Sequence, residues 1–311
     1  MATSILISEV GPRDGLQSID SILPTATKKQ WVEKQYEAGA REIEVGSFVP
    51  AKLLPQLADT AEVVEYAKTL ENLNVAVLAP NLRGVKDAVA AGADKIAIPF
   101  SCSESHSRRN VNKSHEEMFQ EIETCQNYVA QLTDDERPAL EVSLSTAFGC
   151  TIEGAISART VVAAAEQFVE MGVDEVGLSD TTGMGDPKQL ESLAKDIWHH
   201  CGREKLTGVH LHNTRGQGLA NALKAVELGF TTLDASLGGI GGCPFAPGAS
   251  GNIVTEDLVF MLHSMAVETG IDLPQLLEVR KWLQDQLPNE SLYGFTVDAG
   301  IPPDWPFSNS S

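Results

Sequence analysis

Short runs rich in β-branched and aliphatic residues recur along the chain: ILISEV (5–10), EIEVGSF (42–48), NVAVLAP (74–80), KIAIPF (95–100), LEVSLST (140–146), EVGLSD (175–180), GVHLHN (208–213) and TLDASLG (232–238). Each has the length of one strand. Between them lie segments such as KKQWVEKQYEAGA, LRGVKDAVAAGA, ARTVVAAAEQFVEMGV and GLANALKAVELGF, whose apolar residues recur at helical spacing. Several carry a glycine at the end, where a helix closes on a left-handed residue. The endings EAGA, AAGA, EMGV and ELGF therefore mark one repeated helix-to-strand turn. Eight strand-helix units predict an α/β fold with a parallel sheet closed into a TIM (β/α)8 barrel. A doubly wound dinucleotide-binding sheet needs G-x-G-x-x-G after its first strand, but the first turn reads GPRDGLQ. Nor does GGIGGCPFAPGASGN (238–252) fit, since counting from Gly239 the last glycine position holds Pro244. The last barrel helix is expected at about 255–268, with an extra helix near 273–286 and then a tail rich in aromatics and prolines. The expected organisation is a catalytic barrel over 1–270 and a short C-terminal helical extension over 271–311, packing on the barrel or on a partner subunit.

Composition narrows the partners. With 43 acidic and 23 basic residues the net charge is −20, which repels nucleic acid and anionic membrane surfaces. An anionic ligand must meet a local positive site. No apolar run approaches the ~20 residues of a membrane span, and the N-terminus has no basic region followed by an apolar one, so a cytoplasmic protein is expected. The five cysteines are odd in number and form no CxxC pair, so most read as buried thiols rather than a disulfide framework or zinc finger.

In this barrel class chemistry sits at the C-terminal strand ends. That rule selects Arg13, Asp14 and Gln17 after the first strand, Glu44 and Ser47 on the second, Asp180 after the sixth, and His210, His212 and Asn213 on the seventh. His210 and His212 stand two apart on a strand, so both imidazoles face one side. They read either as a hydrogen-bonded pair or as half a metal site. Asp14 from the first strand and Asn252 from the loop after the eighth, its neighbour in a closed barrel, favour the metal site. Nitrogen and oxygen donors without thiolates suit Mg²⁺ or Mn²⁺. Glu44 and Asp180 read as core carboxylates paired with a base, or as groups that orient Arg13 or a metal-bound water. The segment SESHSRRNVNKSHEE (103–117), with His106, Arg108, Arg109 and Lys113, reads as a polar loop that clamps an anion. His115, His199, His200 and His263 fall to surface or packing roles.

Taken together, EVGPRDGLQ (9–17), SFVPAKLLPQLAD (47–59), LAPNLRGVKDAVAAGA (78–93), GLSDTTGMGDP (177–187), VHLHNTRGQGLAN (209–221) and GGIGGCPFAPGASGNIVTEDLVFML (238–262) resemble the 3-hydroxy-3-methylglutaryl-CoA lyase family. The likeness covers nearly the whole barrel, and the cysteine in GGCPFAPGASGN favours this lyase branch over condensing relatives such as isopropylmalate synthase. The resemblance implies a divalent cation on Asp14, His210, His212 and Asn252. It implies Arg13 as the catalytic arginine, Glu44 as a supporting carboxylate, Asp180 as an active-site acid and Cys243 as a loop thiol used in proton transfer. It also implies a coenzyme A thioester substrate, cleaved by a retro-Claisen step, and a homo-oligomer, most simply a dimer. Gln17, Ser47, His106 and Arg215 are the expected substrate contacts. Three departures bear on the acyl group. The chain reads HNTRGQ where members commonly read HDTYGQ, which introduces Arg215; ESHSRRN places His106 where an aromatic or apolar residue is usual; and the tail lacks a terminal cysteine. Citramalyl-CoA, 3-methylmalyl-CoA and a condensing acyltransferase stand as alternatives to 3-hydroxy-3-methylglutaryl-CoA.

Overall fold

The computed structural model describes residues 4–241 and 251–305. Among these, β1 (Leu6–Glu9), β2 (Glu42–Ser47), β3 (Asn74–Leu78), β4 (Lys95–Ser101), β5 (Ala139–Ser145), β6 (Glu175–Ser179), β7 (Gly208–His210) and β8 (Thr232–Ala235) pair in sequence order. All the pairs are parallel, and β8 closes on β1, giving a TIM barrel. The helices are α1 (Thr25–Glu37), α2 (Thr60–Ala67), α3 (Leu82–Ala91), α4 (Glu104–Asn110), α5 (His115–Val129), α6 (Ala158–Glu170), α7 (Pro187–Cys201), α8 (Gly218–Leu228), α9 (Thr255–Ser264), α10 (Leu273–Gln286) and α11 (Thr296–Ala299).

The strand period explains both faces of the barrel wall. On β4, Ile96, Ile98 and Phe100 are buried on the outer side, and Phe100 packs on Phe119 of α5 and Phe168 of α6. Lys95, one step out of phase, turns inward. Its Nζ lies 2.7 Å from Glu141, 3.8 Å from Glu42 and 4.0 Å from Glu175, carboxylates from three other strands. Burial opposes that charge, but the three carboxylates outweigh it and raise the lysine's pKa. These groups line a cavity of about 270 Å³ at the N-terminal mouth, and Ser143 and Ser179 hydrogen-bond at 2.8 Å between β5 and β6. The lower barrel is thus lined by a polar layer in which one lysine is shared by three carboxylates, and in this barrel class ligand chemistry sits at the other end. The repeated turn is also present: α3 and α8 close on Gly92 (φ +88°) and Gly229 (φ +92°), the left-handed residues foreseen in AAGA and ELGF.

Three segments differ from the sequence reading. Residues 103–117 are not a polar loop. Ser103 accepts from His106 N and caps α4, while Ser114 and Glu117 form a reciprocal capping box that starts α5. Their bases serve these helices: Arg108 donates to Glu104 and Lys113 pairs with Glu121. The seventh strand stops at His210, because His212 leaves β6 to form an antiparallel bridge with Asn252. The eighth stops at Ala235, after which Leu237–Gly239 forms a tight turn. Beyond α9, α10 packs against α1 and α9, and Trp305 stacks on Phe260 at 5.0 Å.

Candidate active site

The first turn after β1 sets the site. Residues Gly11–Gly15 wind as one π-helical turn, with Val10 O accepting from Arg13 N (3.1 Å), Asp14 N (2.7 Å) and Gly15 N (3.4 Å). Glu9 holds this turn to the β8 end: its carboxylate accepts from Gly11 N (3.0 Å), Leu237 N (2.9 Å) and Thr255 Oγ1 (2.7 Å). Burial pushes the Glu9 pKa up to about 7 in spite of those donors.

The turn delivers two adjacent, opposite charges to the barrel mouth. Arg13 donates from Nη1 to Asp14 Oδ1 and from Nε to Glu44 Oε2, both at 2.6 Å. Gln17 Nε2 donates to Asp14 Oδ1 at 2.6 Å, and Asn252 Nδ2 to Asp14 Oδ2 at 2.8 Å. Burial alone would raise the Asp14 pKa, but Arg13, His210, His212 and the Asn252 bond hold it well below the usual carboxylate range. Asp14 is therefore a fixed anion.

Opposite it stand the histidines. His210 Nε2 and His212 Nε2 are 3.0 Å apart, and His212 Nε2 is 3.9 Å from Asp14 Oδ2. Burial first, and then the neighbouring His210, lower the His212 pKa to about 4, so its ring is neutral near pH 7. His210 Nδ1 lies 3.0 Å from Asp234 Oδ2. With Nδ1–H directed at that carboxylate, Nε2 is the nitrogen left for a ligand, the usual histidine–carboxylate support of a metal site. Asp14, His210 and His212 each present a ligand atom within 4.8 Å of the others.

This donor set fits a divalent ion. Two imidazole nitrogens at 3.0 Å can share at most one proton, whereas adjacent ligands of an octahedral ion, each about 2.1 Å from it, are separated by about 3 Å. Asn252 Oδ1 is buried with no hydrogen-bond partner. Leaving such an acceptor unmet costs about 1–3 kcal/mol, and a cation beside Asp14 would meet it.

Arg13, Asp14, Gln17, Glu44, His210, His212 and Asn252 thus form one connected network. Asp180 adjoins it through the backbone, its N donating to His210 O at 2.9 Å, while its carboxylate accepts from Met184 N (2.8 Å) and Gly185 N (3.1 Å) and shapes the β6 turn. Arg215 ties the loop after β7 to that turn by donating to Thr182 O (2.8 Å) and Gly183 O (3.1 Å). His106 is buried after β4, with Nδ1 2.7 Å from Ser101 Oγ. Ser47, at the end of β2, is buried, and its Oγ has no partner. Cys243 lies outside the described residues.

Sequence reasoning passed over Asp234 and Glu9. The alternation in TLDAS puts Asp234 on the same side of its strand as Thr232, but only the pairing of His210 with Asp234 across β7 and β8 shows whose ring it supports. Replacing Asp234 by Asn is expected to weaken Mn²⁺ binding about 10- to 100-fold with little change in thermal stability. Calorimetric titration checks this, and an unchanged affinity would separate Asp234 from the site.

Comparison with known proteins places this geometry. The family model described as HMGL-like matches residues 4–283. The chain belongs to the HMGL-like family. Among HMGL-like proteins it is 41% identical to the mitochondrial hydroxymethylglutaryl-CoA lyase of Rattus norvegicus, over 88% of this chain and 83% of that one. It is 36% identical to a hydroxymethylglutaryl-CoA lyase of Bacillus subtilis, over 94% and 97%. The solved B. subtilis HMG-CoA lyase superposes with a TM-score of 0.90 at 34% identity, covering 96% of this chain and 99% of that one. An HMG-CoA lyase of Acinetobacter baumannii, solved with coenzyme A and 3-methylmalate, also gives 0.90, at 36% identity over 97% and 96%.

Proposed function

We propose that this lyase cleaves 3-hydroxy-3-methylglutaryl-CoA to acetoacetate and acetyl-CoA with Mg²⁺ or Mn²⁺ at Asp14, His210, His212 and Asn252. The observation that carries the reading is the convergence of the Asp14, His210 and His212 ligand atoms beside the Arg13 guanidinium. Relatives named for this activity, at 36–41% identity over most of their length, support the substrate.

A divalent ion in this position lowers the pKa of an oxygen acid beside it, as it lowers that of water from about 16 to about 7. The chain's residues supply the rest. The tertiary alcohol gives its proton to a neighbouring histidine, since Asp14 is held as an anion too weakly basic to take it; the bond between C2 and C3 breaks, and its electron pair moves onto the thioester as the enolate of acetyl-CoA. Arg13 has three N–H groups beyond its bonds to Glu44 and Asp14, and these meet the developing enolate oxygen. Glu44 and Gln17 fix the guanidinium and the carboxylate. Cys243 supplies the proton that completes the methyl group of acetyl-CoA, becoming a thiolate that solvent reprotonates. Asp180 and Arg215 shape the adjoining wall, and Ser47 and His106 contact the acyl group. Residues 1–270 act as the catalytic barrel and 271–311 as its extension, in a cytoplasmic homodimer. No helix of the described residues is long and apolar enough to cross a membrane.

The test is turnover by the purified chain with Mg²⁺ or Mn²⁺, following acetoacetate and acetyl-CoA. The 3-hydroxy-3-methylglutaryl thioester is expected to give the highest kcat/KM in a panel with citramalyl-CoA and 3-methylmalyl-CoA. Faster cleavage of either competitor, or condensation without cleavage, would replace this assignment.

A further inference from the structure

Helix α10 meets the turn that follows β8. Glu256, fully buried in the first turn of α9, accepts from Gly238 N at 3.1 Å, and Tyr293 N donates to Gly238 O at 2.7 Å. Arg280 of α10 is only 5% exposed; its Nε lies 3.2 Å from Glu256 Oε1, and its Nη1 donates to Gln284 Oε1 at 3.4 Å. Gly238 is left-handed (φ +68°), and a Cβ on it would stand 2.8 Å from Arg280 Nε and 3.0 Å from Leu292 Cβ. The arginine therefore packs directly on the turn.

From there the path to the metal ligands is short. Asn252 donates from Nδ2 to Ile240 O at 3.2 Å and from N to Gly241 O at 2.8 Å. A Cβ on Gly241 would stand 2.4 Å from Asn252 Nδ2 and 3.0 Å from Asp14 Oδ2, so this backbone is wedged between the two. The carbonyls of the turn fix the direction of the Asn252 amide. Arg280 Nε and Glu256 Oε1 approach without hydrogen-bond geometry, and burial raises the Glu256 pKa to about 8 even so; such a buried contact adds little stability over apolar residues of the same volume, and its better attested use is to fix one arrangement. Here the pair bears on Gly238, whose N donates to Glu256 and whose Cα faces Arg280.

We infer that Arg280 is a positioning residue for Asn252: through Glu256 it sets the turn whose carbonyls aim that side chain at the metal position. The inference rests on Asn252 being a metal ligand, as proposed above.

Full-length Arg280→Met, Arg280→Lys and the double variant Arg280→Met with Glu256→Gln test it by hydrogen exchange and by Mn²⁺ titration. In Arg280→Met the amides of Gly238 and Asn252 are expected to exchange about 10-fold faster while those of β3 to β5 keep their rates, and Mn²⁺ binding weakens about 10-fold. Arg280→Lys, which keeps the charge, restores most of both. Should Arg280→Met fail to fold, the double variant, which strands no charge, is measured against the same criteria. Unchanged exchange at the two amides, exchange raised throughout the barrel, or wild-type Mn²⁺ affinity in the variant overturns the role of Arg280. Absence of Mn²⁺ binding by the unaltered protein overturns instead the reading of Asn252 as a ligand.

Discussion

Replacing His212 by Ala is expected to weaken Mn²⁺ binding by more than about 100-fold, beyond the 10- to 100-fold typical of groups that only support a ligand. The argument is geometric. His212 Nε2 is 3.0 Å from His210 Nε2 and 3.9 Å from Asp14 Oδ2, so it lies close to both of the other donors. It is also the ring that burial keeps neutral, with a pKa near 4, so no proton competes with the ion at neutral pH. The lost ring leaves only Asp14, His210 and Asn252, one imidazole in place of two, to compete with water. Turnover at low Mn²⁺ falls in proportion to occupancy and recovers in part as Mn²⁺ is raised. The measurement is a Mn²⁺ titration followed both by calorimetry and by turnover, beside thermal unfolding to confirm that the variant folds. Equal titration curves for the variant and the unaltered protein would remove the ion from the histidine pair.

The outline of this site was legible because a parallel barrel converts strand order into spatial order. Once eight strand-helix units are counted, Asp14 on the first turn and Asn252 after the eighth strand must be neighbours, since β8 closes on β1. Period-2 alternation likewise put the two histidines on one side before any geometry was known. What the pattern could not carry is register and side-chain traffic between elements. Asp234 supports His210 only because residues 210 and 234 are level across β7 and β8. Glu9 ties the β1 turn to Leu237 and Thr255, more than two hundred residues away in sequence. Glu256 sits in an ordinary helical first turn by sequence; its meaning comes from Gly238 N and Arg280, which reach it from two other elements. The polar loop expected at 103–117 is helical for the opposite reason. Local signals were decisive there, as Ser103 and Ser114 start helices and Glu104 and Glu121 neutralise Arg108 and Lys113. In a chain of net charge −20 one guanidinium, that of Arg13, stands in the barrel mouth beside Asp14 and Glu44.

That guanidinium gives the second large effect. Arg13→Met is expected to lower kcat about 10²- to 10³-fold, the loss of about 3–4 kcal/mol typical when one fixed donor to a developing oxyanion is removed. The loss falls on kcat more than on KM, because the enolate oxygen carries its charge only as the carbon–carbon bond breaks. Stability falls too, since Asp14 and Glu44 lose a shared counter-charge that each meets at 2.6 Å; removing one member of a buried ion pair costs about 3–5 kcal/mol. Arg13→Lys separates the two effects. A lysine keeps the charge but presents a single ammonium, whereas Arg13 uses Nε for Glu44 and Nη1 for Asp14 and still has N–H groups left for substrate. Arg13→Lys is therefore expected to recover much of the stability and little of the turnover. The comparison is kcat at saturating Mn²⁺ and substrate against the midpoint of thermal unfolding for both variants. If kcat follows stability, with the lysine variant restoring both together, Arg13 serves only as a counter-charge, and the donor to the enolate must be sought elsewhere in the mouth.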